Sequence, residues 1–303
     1  MKITAIIGDS HGWGQGVEGL WETLENESPV EGGELRPAPF RFPSFANLIR
    51  REIETKTGSS SRESAPRQVF PVSFITDAPL VRLFLTTGDN DGEARILVNG
   101  EEKVRLTLPA AGAPKPYRVV TLFPEKPGEI AILGKGLLYR VEEYAGPHAV
   151  VNCSVGSTPT FRYLEKFWDS YIVPLAPDEI LIEPCTINDW LSGETPDEYK
   201  ENLLRLLKKA AEEKRKVSVL GCTTIMGEQK SPATGIPYAD YLGAAKEAAG
   251  ILPLPFADTA AVFEEMSRGL SEKERFDLLF SDNWHPNERG HAVYARLALA
   301  MLE

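Results

Sequence analysis

A chain of 303 residues is long enough for one large domain or two modest ones, with a core that needs no metal or disulfide staple. Its 42% hydrophobic and 25% charged residues are those of an ordinary globular protein. The formal net charge of -11 argues against a nucleic-acid partner, whose phosphates need a basic surface, and against docking on an anionic membrane face.

The opening MKITAIIGDS holds an apolar run too short for a signal-peptide core, and no run approaches a membrane span. The expectation is a cytoplasmic protein. Ile3 to Ile7 reads as a buried strand ending in the turn Gly8-Asp9-Ser10. Residues 11 to 40, rich in Gly, Pro and Glu, read as loop. Phe45 to Thr57 carries Phe45, Leu48, Ile49 and Ile53 at helical spacing. The polar stretch Gly58 to Pro66 reads as a linker.

From about Val69 to Ala145 the pattern is β throughout, with no helical segment. Short apolar-rich runs at Arg82 to Thr86, Arg95 to Val98, Val104 to Leu108, Tyr117 to Phe123, Glu129 to Leu133 and Leu137 to Val141 are punctuated by Gly and Pro. Asn99-Gly100 is the strongest short hairpin signal. Short strands at this spacing predict an antiparallel sandwich.

From Val150 onward, strands alternate with helices. Strands are expected at Ala149 to Cys153, Glu179 to Pro184 and Val217 to Gly221. Helices are expected at Phe161 to Tyr171, after the capping box Thr195 to Glu198, near Asp258, and from about Glu288 to Met301. Alternation of this kind implies a parallel sheet covered on both faces, to which residues 3 to 7 also belong. The β segment is therefore an insertion. The expected division is an α/β domain of residues 1–67 and 148–303, interrupted by a β-sandwich of residues 68–147. The sandwich is expected to be independent and to shape access to the site, or to mediate oligomer contacts.

Ligands of open parallel sheets bind at the carboxyl ends of the strands. Four polar clusters fall there: Gly8-Asp9-Ser10, Gly156-Ser157, Ile187-Asn188-Asp189 and Asp282-Asn283-Trp284-His285-Pro286. Together they supply a hydroxyl, a backbone amide, a side-chain amide and an imidazole with a carboxylate three residues earlier. A serine hydroxyl is a weak nucleophile until a base takes its proton, and imidazole is the natural base near neutral pH. A carboxylate can fix the imidazole tautomer, and donors must meet the developing oxyanion. Each cluster alone also fits a turn or a helix cap.

In order and position, the four clusters resemble the four blocks of the SGNH (GDSL-like) hydrolases, and Asp282 to Ala295 is similar to their last block. The resemblance covers the α/β part. It implies a flavodoxin-like three-layer α/β/α fold. It implies Ser10 as nucleophile, His285 as base and Asp282 as its orienting carboxylate. It implies an oxyanion hole of the Ser10 and Gly156 backbone amides and the Asn188 side chain. Two departures are visible. Thr186 stands where the third block usually has glycine, and the β insertion separates the first two blocks. That insertion is loosely similar to the jelly-roll modules of some carbohydrate esterases.

The expected activity is hydrolysis of small acyl esters, acetyl groups on carbohydrate foremost. A short-chain lipase or acyl-thioesterase on the same residues is the alternative enzyme. A glycan- or partner-binding protein with vestigial catalytic residues is the alternative outside enzymes. Homo-oligomers fit the sequence equally. No metal-ligand spacing stands out, and Gly12-Trp13-Gly14-Gln15-Gly16 has the wrong spacing for a dinucleotide fingerprint, so no cofactor is expected. The cysteines Cys153, Cys185 and Cys222 include no CxxC pair, and Cys153 and Cys222 border apolar runs as small buried hydrophobes would. His11 reads as pocket lining or as a loop residue, His148 as without a role, and His291, inside the last helix, as packed or facing water. Trp13, Trp190 and Trp284 read as a sugar-stacking wall or as core.

Overall fold

The computed structural model describes residues 1–17, 39–64, 66–87, 91–108, 118–212, 215–227 and 229–302. The loop expected over 11 to 40 thus lies largely outside the described residues, as does Tyr117 of one expected strand.

Five strands form a wholly parallel sheet in the order β11 (His148–Asn152), β1 (Lys2–Ile7), β12 (Glu179–Ile182), β13 (Lys216–Leu220), β14 (Phe256–Ala257). β1 is apolar on both faces because both are covered. Ile3, Ala5 and Ile7 join a core with Val151, Ile180, Val219 and the helices Pro196–Ala211 and Tyr238–Ile251. Ile6 points the other way, into a second core with the helices Phe45–Thr57 and Glu288–Leu302. The two cores make the three layers. Full burial of each such aliphatic side chain stabilises by about 1.5–3 kcal/mol.

Two of the longer helices escape the periodicity reading. Tyr238–Ile251 buries Ala244, Ala245, Ala248 and Ala249, whose small side chains give little apolar contrast. Glu272–Leu279 buries only Leu279, yet its capping box, Ser271 with Glu274, stands in the sequence.

The inserted strands form two antiparallel sheets. One runs β2 (Ser60–Ser64), β10 (Leu137–Ala145), β5 (Leu80–Thr86), β8 (Arg118–Leu122), with β3 (Gln68–Val69) also on β10. The other runs β4 (Val72–Thr76), β9 (Gly128–Lys135), β6 (Gly92–Val98), β7 (Glu101–Leu108). Asn99 and Gly100 turn the β6–β7 hairpin with φ of 52° and 83°, the positive values that this tight turn demands. Leu83, Leu85, Ile96 and Ile132 pack between the sheets.

Two expectations need correcting. Gly58 to Pro66 is not a linker: Ser60–Ser64 is β2, paired with β10 from Ala145 to Val141. An edge strand of Ser, Arg and Glu carries no apolar alternation, and its neighbour supplies the register. Nor is the sandwich independent. All seven residues of β5 are buried, because Leu80 and Phe84 on its second face join the α/β core with Tyr171 and Val151. Arg82 and Glu142 are buried in the same seam, 3.0 Å apart, and Arg140 Nη2 lies 2.6 Å from Glu142.

Candidate active site

Ser10 opens a four-residue helical turn, Ser10–Trp13, directly after β1. Asp9 caps the turn: its Oδ1 accepts the N–H of His11 at 3.0 Å. The turn is packed too tightly for side chains at two glycines. A Cβ on Gly12 would lie 2.1 Å from Ser154 Oγ. At Gly16, with φ +96°, it would lie 2.2 Å from the Pro286 carbonyl.

His285 lies in a loop closed by the Ser281 N–H on the His285 carbonyl at 2.9 Å. Its Nε2 is 3.0 Å from Ser10 Oγ, and its Nδ1 is 2.7 Å from Asp282 Oδ2. A carboxylate can only accept, so Nδ1 carries the proton and Nε2 is left to accept the serine O–H. Asp282 Oδ1 also accepts the backbone N–H groups of Trp284 and His285, each at 2.7 Å. Partial burial pushes the Asp282 carboxyl upward, but His285 and those two N–H groups outweigh it and hold it at about 2. Ser10 and His285 are buried, whereas the Asp282 side chain remains 47% exposed.

The other two expected residues come from the neighbouring strands. Asn188, on the helix Thr186–Ser192 after β12, donates from Nδ2 to Asp9 Oδ2 at 2.7 Å. Its amide is thus fixed against the Ser10 turn with a second N–H still to give. Thr186 in the usual glycine position is accommodated, its hydroxyl 2.8 Å from Tyr199 Oη. Gly156 follows β11 in a buried loop, tied to β1 by the Val155 N–H on the Gly8 carbonyl at 3.0 Å. The strand order β11-β1-β12 therefore brings Gly156, Ser10 and Asn188 to one carboxyl edge.

Several supporting residues were given no role of their own from the sequence. Asp189 accepts the Thr160 N–H at 3.0 Å and its hydroxyl at 2.7 Å, bracing the segment that follows Gly156. Asn152 donates to the Gly12 carbonyl at 2.9 Å, and its own carbonyl accepts from Arg82 at 3.1 Å. The sandwich therefore touches the Ser10 turn through one intermediate residue. Only the adjacency of Asp189 to Asn188 was a signal. The Arg82 contact joins positions 70 apart in sequence and leaves no local trace.

Trp13 and Trp190 are core, and Trp284 is 39% exposed beside His285. His148 lies at the start of β11, 2.9 Å from Thr4 Oγ1. His291 is buried, its Nε2 at 3.0 Å from the Gln15 carbonyl and its Nδ1 accepting the Phe45 N–H at 3.3 Å. Among the described residues, one group has metal-binding side chains in reach of one another: His11, Glu183 and Cys222, all buried, with ligand atoms within 4.8 Å. Their direct contacts of 3.3 Å are hydrogen-bond contacts, and a tetrahedral structural site would need a fourth donor.

No protein-family model matches the chain, and no curated protein matches it. Among solved structures it is similar to a peptidoglycan O-acetylesterase, with TM-score 0.55 and 11% identity over 100% of this chain and 90% of that one. It is similar to the lipase/acylhydrolase from Enterococcus faecalis, with TM-score 0.52 and 13% identity over 100% of this chain and 95% of that one. Over 51% of this chain and 72% of that one it is similar to Axe2, an acetylxylan esterase from Geobacillus stearothermophilus, at 24% identity and TM-score 0.43. The parallel sheet between two helical layers, with polar groups gathered at its carboxyl edge, defines a flavodoxin-like three-layer α/β/α protein. Within that class, the fold is that of the SGNH (GDSL-like) hydrolases.

Proposed function

We propose that the chain is a serine esterase that hydrolyses small acyl esters through its own Ser10, His285 and Asp282. The observation that carries this reading is the line from Ser10 Oγ to His285 Nε2 at 3.0 Å and from His285 Nδ1 to Asp282 at 2.7 Å. Ser10 Oγ attacks the acyl carbon while its proton passes to His285 Nε2, and Asp282 stabilises the imidazolium. The oxyanion is met by the Ser10 and Gly156 backbone N–H groups and by Asn188 Nδ2. The alcohol leaves with the proton from His285. Water, deprotonated by the same Nε2, then attacks the acyl-serine and returns the acid and free Ser10.

Acetyl groups on carbohydrate are the substrate class that fits best. Trp284 offers a partly exposed aromatic face beside the base, suited to stacking on a sugar ring. A peptidoglycan O-acetylesterase is among the proteins of similar fold. A fluorophosphonate probe should label Ser10 and leave Ser10→Ala unlabelled. Absence of labelling would favour a binding protein with vestigial catalytic residues. Acetyl esters should turn over faster than octanoyl esters, and the reverse order would favour a lipase. A panel of acetylated oligosaccharides then reads the sugar preference.

A further inference from the structure

Directly behind the nucleophile lies a second imidazole–carboxylate pair that the proposed reaction does not use. His11 follows Ser10, and its ring is fully buried. Its Nε2 is 2.8 Å from the Trp284 carbonyl. Its Nδ1 is 3.3 Å from Glu183 Oε1 and 3.3 Å from Cys222 Sγ. Glu183 follows β12 and Cys222 follows β13, and both are buried. Cys222 Sγ in turn accepts the Tyr238 hydroxyl at 3.1 Å.

A carbonyl oxygen can only accept, so Nε2 of His11 must carry a proton. That bond holds the peptide leading into His285. The Trp284 N–H is bound by Asp282 from the exposed side, and the Trp284 carbonyl by His11 from the buried side. The loop is therefore gripped on both sides one residue before the base. The inner grip belongs to the residue next to Ser10, so a single rigid turn carries both the nucleophile and the group that sets the base against it.

The two rings meet edge to face, with centroids 5.5 Å apart. A lone positive charge on His11 would oppose the imidazolium that forms on His285 during catalysis. Glu183 removes that difficulty by keeping the inner pair neutral as a unit. Burial alone would drive the His11 imidazole down, but Cys222, Glu183 and Asp9 raise it well above its ordinary range. Burial and Asp9 raise the Glu183 carboxyl to about 7, against the pull of His11. Both partners thus hold protons more tightly than they would in water, as expected where one proton is shared between them.

We propose that His11 is a positioning residue for the reaction proposed above: through its Nε2–H on the Trp284 carbonyl it fixes His285 at bonding distance from Ser10. Misplacement of a catalytic group by about 1 Å can lower a rate a hundredfold.

Three substitutions separate this role from packing, assayed on 4-nitrophenyl acetate. A Gln side chain places its N–H near the former Nε2, whereas Asn reaches only the Nδ1 position. H11N and H11L should therefore lose about a hundredfold in kcat with KM little changed. H11Q should recover to within about tenfold of the parent. Equal losses in all three that track the melting temperature, or full activity in H11L, would overturn the proposal. Should the variants fail to fold, ¹⁵N-histidine spectra of the unmodified protein test the same bond among its four histidines. His11 should show a protonated Nε2, and His285 a protonated Nδ1. A bare His11 Nε2, or a stoichiometric metal ion bound at His11 and Cys222, would overturn it. Failure of Ser10 to react with the fluorophosphonate would instead sink the esterase reading, whatever the spectra show.

Discussion

The molecule holds two imidazole–carboxylate pairs within one loop's width, and they differ in almost every physical respect. In the outer pair, Asp282 is half in water and bonds to Nδ1 of His285, leaving Nε2 free to take a proton. In the inner pair, Glu183 is sealed and also faces Nδ1, but Nε2 of His11 is committed to a backbone carbonyl. On the roles proposed above, the same chemical components give a base in one place and a bracket in the other. Whether the distal ring nitrogen faces a hydroxyl or a carbonyl decides the task.

The comparison can be broken most decisively at the outer pair. Ser10→Ala and His285→Ala should each lower kcat by four orders of magnitude or more, the double mutant being little worse than either single one. Near-normal turnover in Ser10→Ala would end it. Asp282→Asn should cost on the order of ten-thousandfold, because an amide cannot hold the Nδ1–H tautomer as a carboxylate does. If the loss is under tenfold, the exposed carboxylate is not setting the tautomer. Asn188→Ala should lower kcat about a hundredfold with KM almost unchanged, as loss of one oxyanion donor does. A raised KM at constant kcat would make Asn188 a substrate binder.

A third imidazole, His291, sharpens the contrast because its two ring nitrogens are bonded to backbone groups rather than to a carboxylate. Its Nε2–H is used on Gln15 and its Nδ1 accepts from Phe45, so neither nitrogen has room for a further proton. Burial is the main cause that lowers it to about 3. A folded-state value below the unfolded one means that stability is present above about 6.5 and is lost as the pH falls toward 3. Between pH 6.5 and 5 this amounts to about 2 kcal/mol. Urea midpoints of the parent and of His291→Gln across that interval should converge on acidification. Parallel curves would remove His291 as the cause.

The outer pair was legible in the sequence because Asp282 and His285 sit three residues apart, and Gly-Asp-Ser ends an apolar strand. The inner pair was not. Position 11 is separated from Glu183 and Cys222 by most of the chain, and only the parallel order β1-β12-β13 brings the three together. Likewise the three layers could be read from alternation of strand and helix. The helix Tyr238–Ile251 could not, since alanine buries well without announcing a face. Polar β2 escaped because its pairing is imposed by β10. The seam between β5 and the α/β core escaped because a strand buried on both faces reads the same whatever covers it.

The position of β1 has a consequence for how the chain matures. Lys2 is in register with His148 and Thr4 with Glu179, so the strand that leads to Ser10 has no partner before His148 among the described residues. On a ribosome it emerges well before β11 and must wait for it. At 5–20 residues per second that interval is roughly ten seconds, during which KITAII stays unpaired and apolar. The β6–β7 hairpin can close meanwhile, since its two strands are neighbours along the chain. Refolding from denaturant should accordingly show early burial of antiparallel structure and a late gain of Ser10 reactivity.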